Sequence, residues 1–474
     1  MTQQEPTATT QSVAASAPTL RRDALRTLHI ASTSIANMAP AYSLYTTLAV
    51  IVVSAGVGSP LLLILAGVAT LFHVNSTAEF SRKIPSAGSY TVFMSRTFGR
   101  YVGGVTGWTY VFSSVLLLTS VYIVGGTWPQ VSLSAAGISV PWWLPLIILA
   151  VIGIALCALG VVISTKWAIA FFLFEVAVLL IGSIGMLVTH PGSINLDPFN
   201  PAKISGGMSG LGLAFPLAVY PYLGASNAAT MAEEVRNPKR AIRQAVFAAV
   251  LAAIVIYVFG TWATVVGYGE HVTPLTHAAF PIVDGSVKVL GPFGFLMYLG
   301  GLTSTMALII VDTNAFARVW FNLAREGLLP KPMASVHPRF QTPWISVIAG
   351  GGVTLALALG MSIAFGTTNA FDWTGTLGTI PMILIFLAVN VALPVYYWMN
   401  HRSDFSVMWH VLFPLIGCVA FAFPLISTLS PNQPAPYNSF GWITGALIIL
   451  GMAYMTWLVR ARSERLKLGT YVVE

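Results

Sequence analysis

Along this chain, apolar runs of the ~20-residue kind that cross a bilayer as helices alternate with short connections rich in charge, Pro or Gly. Twelve such runs are predicted as spans: Leu28 to Val57, Pro60 to Phe80, Val102 to Gly125, Trp143 to Val162, Thr165 to Val188, Gly210 to Met231, Ala245 to Val266, Pro292 to Ala317, Trp344 to Gly366, Trp373 to Trp398, Met408 to Leu429 and Trp442 to Leu458. Tyr101, Trp142, Trp143, Trp344, Trp373, Trp398 and Trp442 stand at run ends, where an interfacial aromatic belt belongs.

Two runs are interrupted in matching places. The first carries a small and polar stretch, Ser32 to Ser43, with Pro40 inside it. The sixth carries Phe215 to Asn227, with Pro216, Pro221 and Gly224. Proline removes a helix donor and clashes with the preceding turn. A separation of five spans makes the two interruptions corresponding members of two five-helix repeats, which is the pattern of a transporter that binds its solute at the bilayer midplane. The expected fold is therefore an all-α polytopic membrane protein of twelve spans. It has a 5+5 inverted repeat with spans one and six broken, and two further C-terminal spans.

A broken helix leaves backbone groups unpaired where lipid cannot reach them. Carbonyls around Ile35, Ala36 and Asn37, and again near Val219 and Tyr220, would suit an ammonium. Amides after Ala39 and Pro40, at Tyr42, Ser43 and Leu44, and again near Ala225 and Ser226, would suit a carboxylate. Backbone alone could then hold a small zwitterion, so the expected solute resembles an amino acid.

Composition agrees with the spans. The 474 residues are 56% hydrophobic and 8% charged, against roughly 25% charged in a soluble domain. With the N-terminus in the cytoplasm, every one of the 23 Lys and Arg residues except Lys203 and Lys288 falls on the cytoplasmic side. The +8 net charge then reflects anchoring beside anionic lipid and calls for no nucleic acid. The expected divisions are a disordered cytoplasmic tail at 1–27, spans one to five at 28–200, spans six to ten at 201–399, spans eleven and twelve at 400–460, and a cytoplasmic tail at 461–474. The first 20 residues hold no signal-peptide core, which points to a multi-pass plasma (cell inner) membrane protein with both termini cytoplasmic. Cys157 and Cys418 lie inside spans, and no Cys/His cluster has metal-ligand spacing.

Three loops carry a resemblance. Arg82 to Phe93 reads Arg-Lys-Ile-Pro-Ser-Ala-Gly-Ser-Tyr-Thr-Val-Phe, Glu233 to Ile242 reads Glu-Glu-Val-Arg-Asn-Pro-Lys-Arg-Ala-Ile, and Ala324 to Pro330 reads Ala-Arg-Glu-Gly-Leu-Leu-Pro. With the two interruptions, these resemble the amino acid-polyamine-organocation family of permeases. The Glu-Glu-x-x-Asn-Pro loop is the most specific match, and Ser89 replaces the second Gly of the first motif. The resemblance implies a leucine-transporter-like fold with alternating access. It does not choose among amino acids, polyamines and other amines.

Ionisable residues at membrane depth are functional candidates by default. Glu175 lies near the middle of span five, a span on which many proton-coupled or exchanging relatives of that family carry a lysine that is not found at mid-depth here, and it is a coupling candidate alongside a structural, neutral reading. Asp312 follows Thr305 by seven residues on one helical face, and Thr303, Ser304 and Thr305 lie on the span that ligates sodium in sodium-coupled cousins. The coupling ion is expected to be a proton, with sodium as the alternative. Glu233 and Glu234 are candidates for a cytoplasmic gate, and Asp372 for an outer one. Tyr42, Tyr110, Tyr220, Tyr222 and Trp373 are candidates for shaping side-chain specificity.

No His-Glu-x-x-His, Gly-x-Ser-x-Gly or ATP-binding Gly-rich loop is present, so neither an intramembrane enzyme nor an ATP-driven pump is indicated. No cofactor is expected. The leading function is a secondary active transporter of amino acids, a proton symporter. An exchanger or importer of polyamines or other amines, and a non-transporting nutrient sensor, remain as alternatives.

Overall fold

The computed structural model describes residues 20–470 apart from 22, 206, 208–213, 216, 270–271, 431–432 and 463–465. Residues 1–19, the expected tail, and Pro216 of the second interruption lie outside the described residues. The described residues are almost entirely helical, and nine apolar segments among them are long enough to cross a membrane. The chain is a polytopic all-α membrane protein.

The helices that position the site are α1 (Thr27–Asn37), α2 (Pro40–Ala55), α3 (Ser59–Lys83), α4 (Tyr90–Phe98), α5 (Arg100–Ala135), α6 (Trp143–Leu159) and α7 (Val161–Thr189). Further along the chain a 3₁₀ segment runs from Tyr220 to Glu234. It is followed by α8 (Pro238–Gly267), α9 (Pro281–Leu290), α10 (Phe295–Arg325), α11 (Trp344–Phe365), α12 (Thr367–Asn400), α13 (Phe413–Thr428) and α14 (Phe440–Arg462).

The first interruption is a clean break. Ala39 sits at φ 43°, ψ 66°, in the left-handed region that a side chain disfavours, and α2 restarts at Pro40. Proline forces this: it has no N–H to give, and it pushes the preceding residue out of the right-handed helical basin. The second interruption is different. Two helical halves around an open gap were expected, whereas the chain from Tyr220 onward tightens into a 15-residue 3₁₀ winding. Runs beyond three or four residues are uncommon for this helix and mark strained or functional stretches. Its middle, Gly224 to Ala229, reads Gly-Ala-Ser-Asn-Ala-Ala and offers little bulk to oppose the tighter turn.

Three helix pairs dominate the long-range packing: α3 with α8, α5 with α12, and α7 with α10. Close approach depends on small residues. A Cβ at Gly301 would run into the Trp128 ring, and one at Gly350 into Trp320. The helix ends that carry Lys83, Arg325 and Asn400 meet at one end of the bundle, tied by Lys83 to Asp404 at 2.6 Å and by Arg325 to Glu233 at 2.6 Å. This is the basic end, and the starts of α3, α10 and α12 lie at the opposite one.

Candidate functional site

A cavity of about 410 Å³ runs from the break between α1 and α2 toward the end opposite the basic one. Its floor holds Asn37, Asn227 and Asp312, and its mouth holds Asp372 near the start of α12 and Thr428 at the end of α13. Asp312 and Asp372 are its only charged groups among the described lining residues, and no Lys, Arg or His joins them.

The floor is a hydrogen-bonded chain. Asn227 Nδ2 donates to Asn37 Oδ1 at 2.6 Å, and Asn37 Nδ2 donates to the Asp312 carboxylate. Three elements meet there: the last turn of α1, the 3₁₀ segment and the middle of α10. Gly224 allows the approach, since a Cβ on it would stand 2.7 Å from the Asn37 carbonyl oxygen. Tyr257 of α8 binds both interruptions at once, its hydroxyl 2.8 Å from the Met38 carbonyl and 3.0 Å from the Pro221 carbonyl.

At the first break the Ile35 and Ala36 carbonyls and the Tyr42 and Ser43 amides, expected to stand open, have partners instead. The Ile35 and Ala36 carbonyls accept from the Met38 and Ala39 amides at 2.9 and 3.1 Å. The Ala41 amide donates to Glu175 Oε2 at 3.4 Å, the Tyr42 amide to Ser304 Oγ at 3.2 Å, and the Ser43 amide to the Ala39 carbonyl at 2.8 Å. A gap inside one helix is thus filled by side chains from α7 and α10, which the local sequence cannot foretell.

Of the residues singled out from the sequence, Asn37, Ala39, Tyr42, Ser43, Val219, Tyr220, Asp312 and Asp372 line the cavity. Others stand behind it. Ile35 and Ala36 are buried in α1, and Pro40 opens α2 facing away from the lining. Tyr110 is buried behind Tyr90 and Phe316, with ring centroids 6.3 and 6.0 Å away. Tyr222 donates to the Leu63 carbonyl at 3.0 Å and packs edge-on to Tyr257. Ala225 and Ser226 are buried, and Ser226 Oγ accepts from Thr77 at 3.3 Å. Trp373 packs on Phe365 with centroids 5.0 Å apart. Thr305 spends its hydroxyl on the Gly301 carbonyl at 2.8 Å, so the shared helical face does not bring it to Asp312.

Below the floor, toward the basic end, the bundle is closed by charge. Glu234 pairs with Arg318, and their side chains are 0% and 1% exposed. Glu233 pairs in two-pronged fashion with Arg325 at 2.6 and 3.0 Å. Leu25 forms a parallel bridge with Val235, its amide donating to the Glu234 carbonyl at 3.0 Å. Asn227, Tyr257 and Gly224 as a contact point are what the sequence reading missed. A lone tyrosine in the Ala/Val-rich α8 was the available signal for the second of these.

The sequence is similar to those of known membrane transporters. The chain is 25% identical to the branched-chain amino acid permease BcaP of Bacillus subtilis, over 72% of this chain and 74% of that protein. It is 26% identical to the methylthioribose transporter of the same organism, over 68% and 73%. Its identity to the serine/threonine exchanger SteT, also of Bacillus subtilis, is 23% over 82% and 85%. Residues 29–468 match the amino acid permease family, and the chain belongs to it as a membrane permease, not an enzyme.

Proposed function

We propose that this permease is a secondary active transporter that carries a small ammonium-bearing solute across the plasma membrane by alternating access, in symport with a proton. The observation that carries the proposal is Asp312. It is a carboxylate at the floor of a cavity open at one end, hydrogen-bonded to the broken helix and backed by the buried Glu234–Arg318 pair. A carboxylate there can meet both a proton and the solute's ammonium, which is the minimum for coupling them. Amino acids, as in the names of the branched-chain and serine/threonine relatives, and small amines are the two solute classes that this reading admits.

Twelve spans support the transport cycle. The segment Thr27–Lys83 turns at Gly56–Gly58 and so accounts for two crossings, while Trp143–Leu159 and the stretch ending in the 3₁₀ segment account for two more beyond the nine apolar segments. Counted so, the dominant helix pairs are spans two with seven, three with ten, and five with eight. A rule that carries each span to the one five places away returns the first pair to itself and exchanges the other two. This exchange supports a 5+5 inverted repeat over 28–399, with spans eleven and twelve at 400–460 outside it. The basic end is cytoplasmic by the excess of Lys and Arg, so the cavity faces outward.

A second reading, an importer or exchanger of polyamines or other amines, is favoured by one observation: the two charged groups of the cavity lining are both acidic. Liposomes preloaded with unlabelled amino acid or amine and given the labelled compound outside test the proposal. Counterflow of either class supports a carrier, and binding without counterflow would support a sensor.

A further inference from the structure

The N-terminus of α2 is where a transported amino acid would place its carboxylate, because the Ala41 and Tyr42 amides have no partner within the helix's first turn. In this chain the place is taken. Glu175 Oε2 from α7 accepts the Ala41 amide at 3.4 Å and Ser304 Oγ from α10 accepts the Tyr42 amide at 3.2 Å, while the Ser43 amide makes the helix's own bond to the Ala39 carbonyl at 2.8 Å. Glu175 is 0% exposed and its second oxygen has no partner, so a buried carboxyl rather than solvent fills the anion end of the break.

The rest of the cavity offers an incoming carboxylate little. Asn37 gives its side-chain amide to Asp312, and Asn227 gives its own to Asn37 Oδ1. Ser43, Thr46 and Thr47 donate to the Met38, Tyr42 and Ser43 carbonyls at 2.7, 2.9 and 2.6 Å. Asp312 and Asp372 would repel it, with no basic side chain among the described lining residues to offset them. An ammonium meets the opposite conditions: two carboxylates and committed hydroxyls whose oxygens still accept.

We infer that Glu175 acts as a built-in stand-in for the substrate carboxylate, so that the solute accepted at this break is an organic amine without one. The inference rests on the carrier reading above and narrows its substrate class. Glu175 is a specificity-determining residue here: it stands behind the break and acts through the α2 amides.

Calorimetric titration of the purified full-length chain tests this with pairs that differ only by the carboxylate: arginine and agmatine, lysine and cadaverine, phenylalanine and phenethylamine. In the best-binding pair the amine is expected to bind roughly ten-fold or more tightly than its parent. Glu175→Ala, which frees the Ala41 amide, is expected to narrow that ratio by strengthening the parent amino acid. Glu175→Asp retracts the carboxyl by one methylene and is expected to move the ratio in the same direction, so a misfolded alanine variant does not end the test. A wild-type protein that binds the amino acid as tightly as the amine would overturn the inference and leave the carrier reading standing. Both variants keeping the wild-type ratio would do the same. No binding by either member of any pair would overturn the carrier reading itself, and the inference with it.

Discussion

The side-chain amide of Asn37 donates to the carboxylate of Asp312, joining the last residue of α1 to the middle of α10 across the floor of the cavity. Asn37 in turn accepts from Asn227 at 2.6 Å, so both interrupted elements and the charged floor are joined in one hydrogen-bonded unit. A proton or an ammonium arriving at Asp312 competes for the oxygens that hold this unit together. That gives the site a means to release α1 from α10.

The closure at the basic end depends on a pair that neither partner can leave alone. Glu234 and Arg318 are buried together, and removing one strands the other charge. Glu234→Gln and Arg318→Met are each expected to destabilise the protein by about 3–5 kcal/mol, whereas the double change Glu234→Met with Arg318→Met recovers most of the loss. Thermal unfolding in detergent reads this directly. Equal losses in the single and double variants would mean that the pair contributes through packing instead of charge.

Gly224 and Gly375 both line the cavity, but only one is a contact point. A Cβ at Gly224 would press on the Asn37 backbone, while one at Gly375 finds its nearest neighbour, Ser120, at 3.7 Å. Gly224→Ala is expected to cost about 1–3 kcal/mol of stability and most of the uptake, and Gly375→Ala to leave both near wild type. Initial rates of uptake in liposomes, normalised to reconstituted protein, separate the two.

Much of this arrangement is legible in the sequence, and the limits have physical causes. Pro40 amid small polar residues marks the first break because proline cannot continue a helix, and the chain does break at Ala39. The same reasoning at Pro221 expects a gap where the chain adopts a tighter winding, since proline at the start of a 3₁₀ turn is tolerated. Seven-residue spacing puts Thr305 and Asp312 on one face of α10, yet periodicity says nothing of depth, and only Asp312 reaches the floor. Open amides at Ala41 and Tyr42 follow from helix geometry. Their capture by Glu175 and Ser304 is a long-range event that no local pattern encodes.

The C-terminal segment carries a pH dependence. Leu466 and Leu468 are buried, and the Lys467 and Gly469 amides donate to the Glu326 backbone carbonyl and carboxylate at 3.0 and 2.9 Å. Burial pushes the Glu326 carboxyl up to about 7, against the Gly469 amide and Arg325, which pull it down, while Glu233 adds to the rise. The folded chain therefore binds this proton more tightly than the unfolded one. The stability it contributes is full below the ordinary carboxylate range and falls as pH rises through about 7. The thermal midpoint in detergent is expected to fall from acid toward pH 8, and Glu326→Gln to flatten the profile. A wild-type profile as flat as that of the variant would remove Glu326 as the cause.

Coupling of a proton to solute movement through Asp312 is tested by uptake. Liposomes containing the wild-type protein or Asp312→Asn are given a radiolabelled panel of amino acids and amines under an inward proton gradient, an inward sodium gradient, or neither. The wild type is expected to accumulate solute above equilibrium with the proton gradient alone. Asp312→Asn should lose that accumulation and respond to no gradient. Accumulation driven by sodium, or proton-driven accumulation that survives in Asp312→Asn, would contradict it.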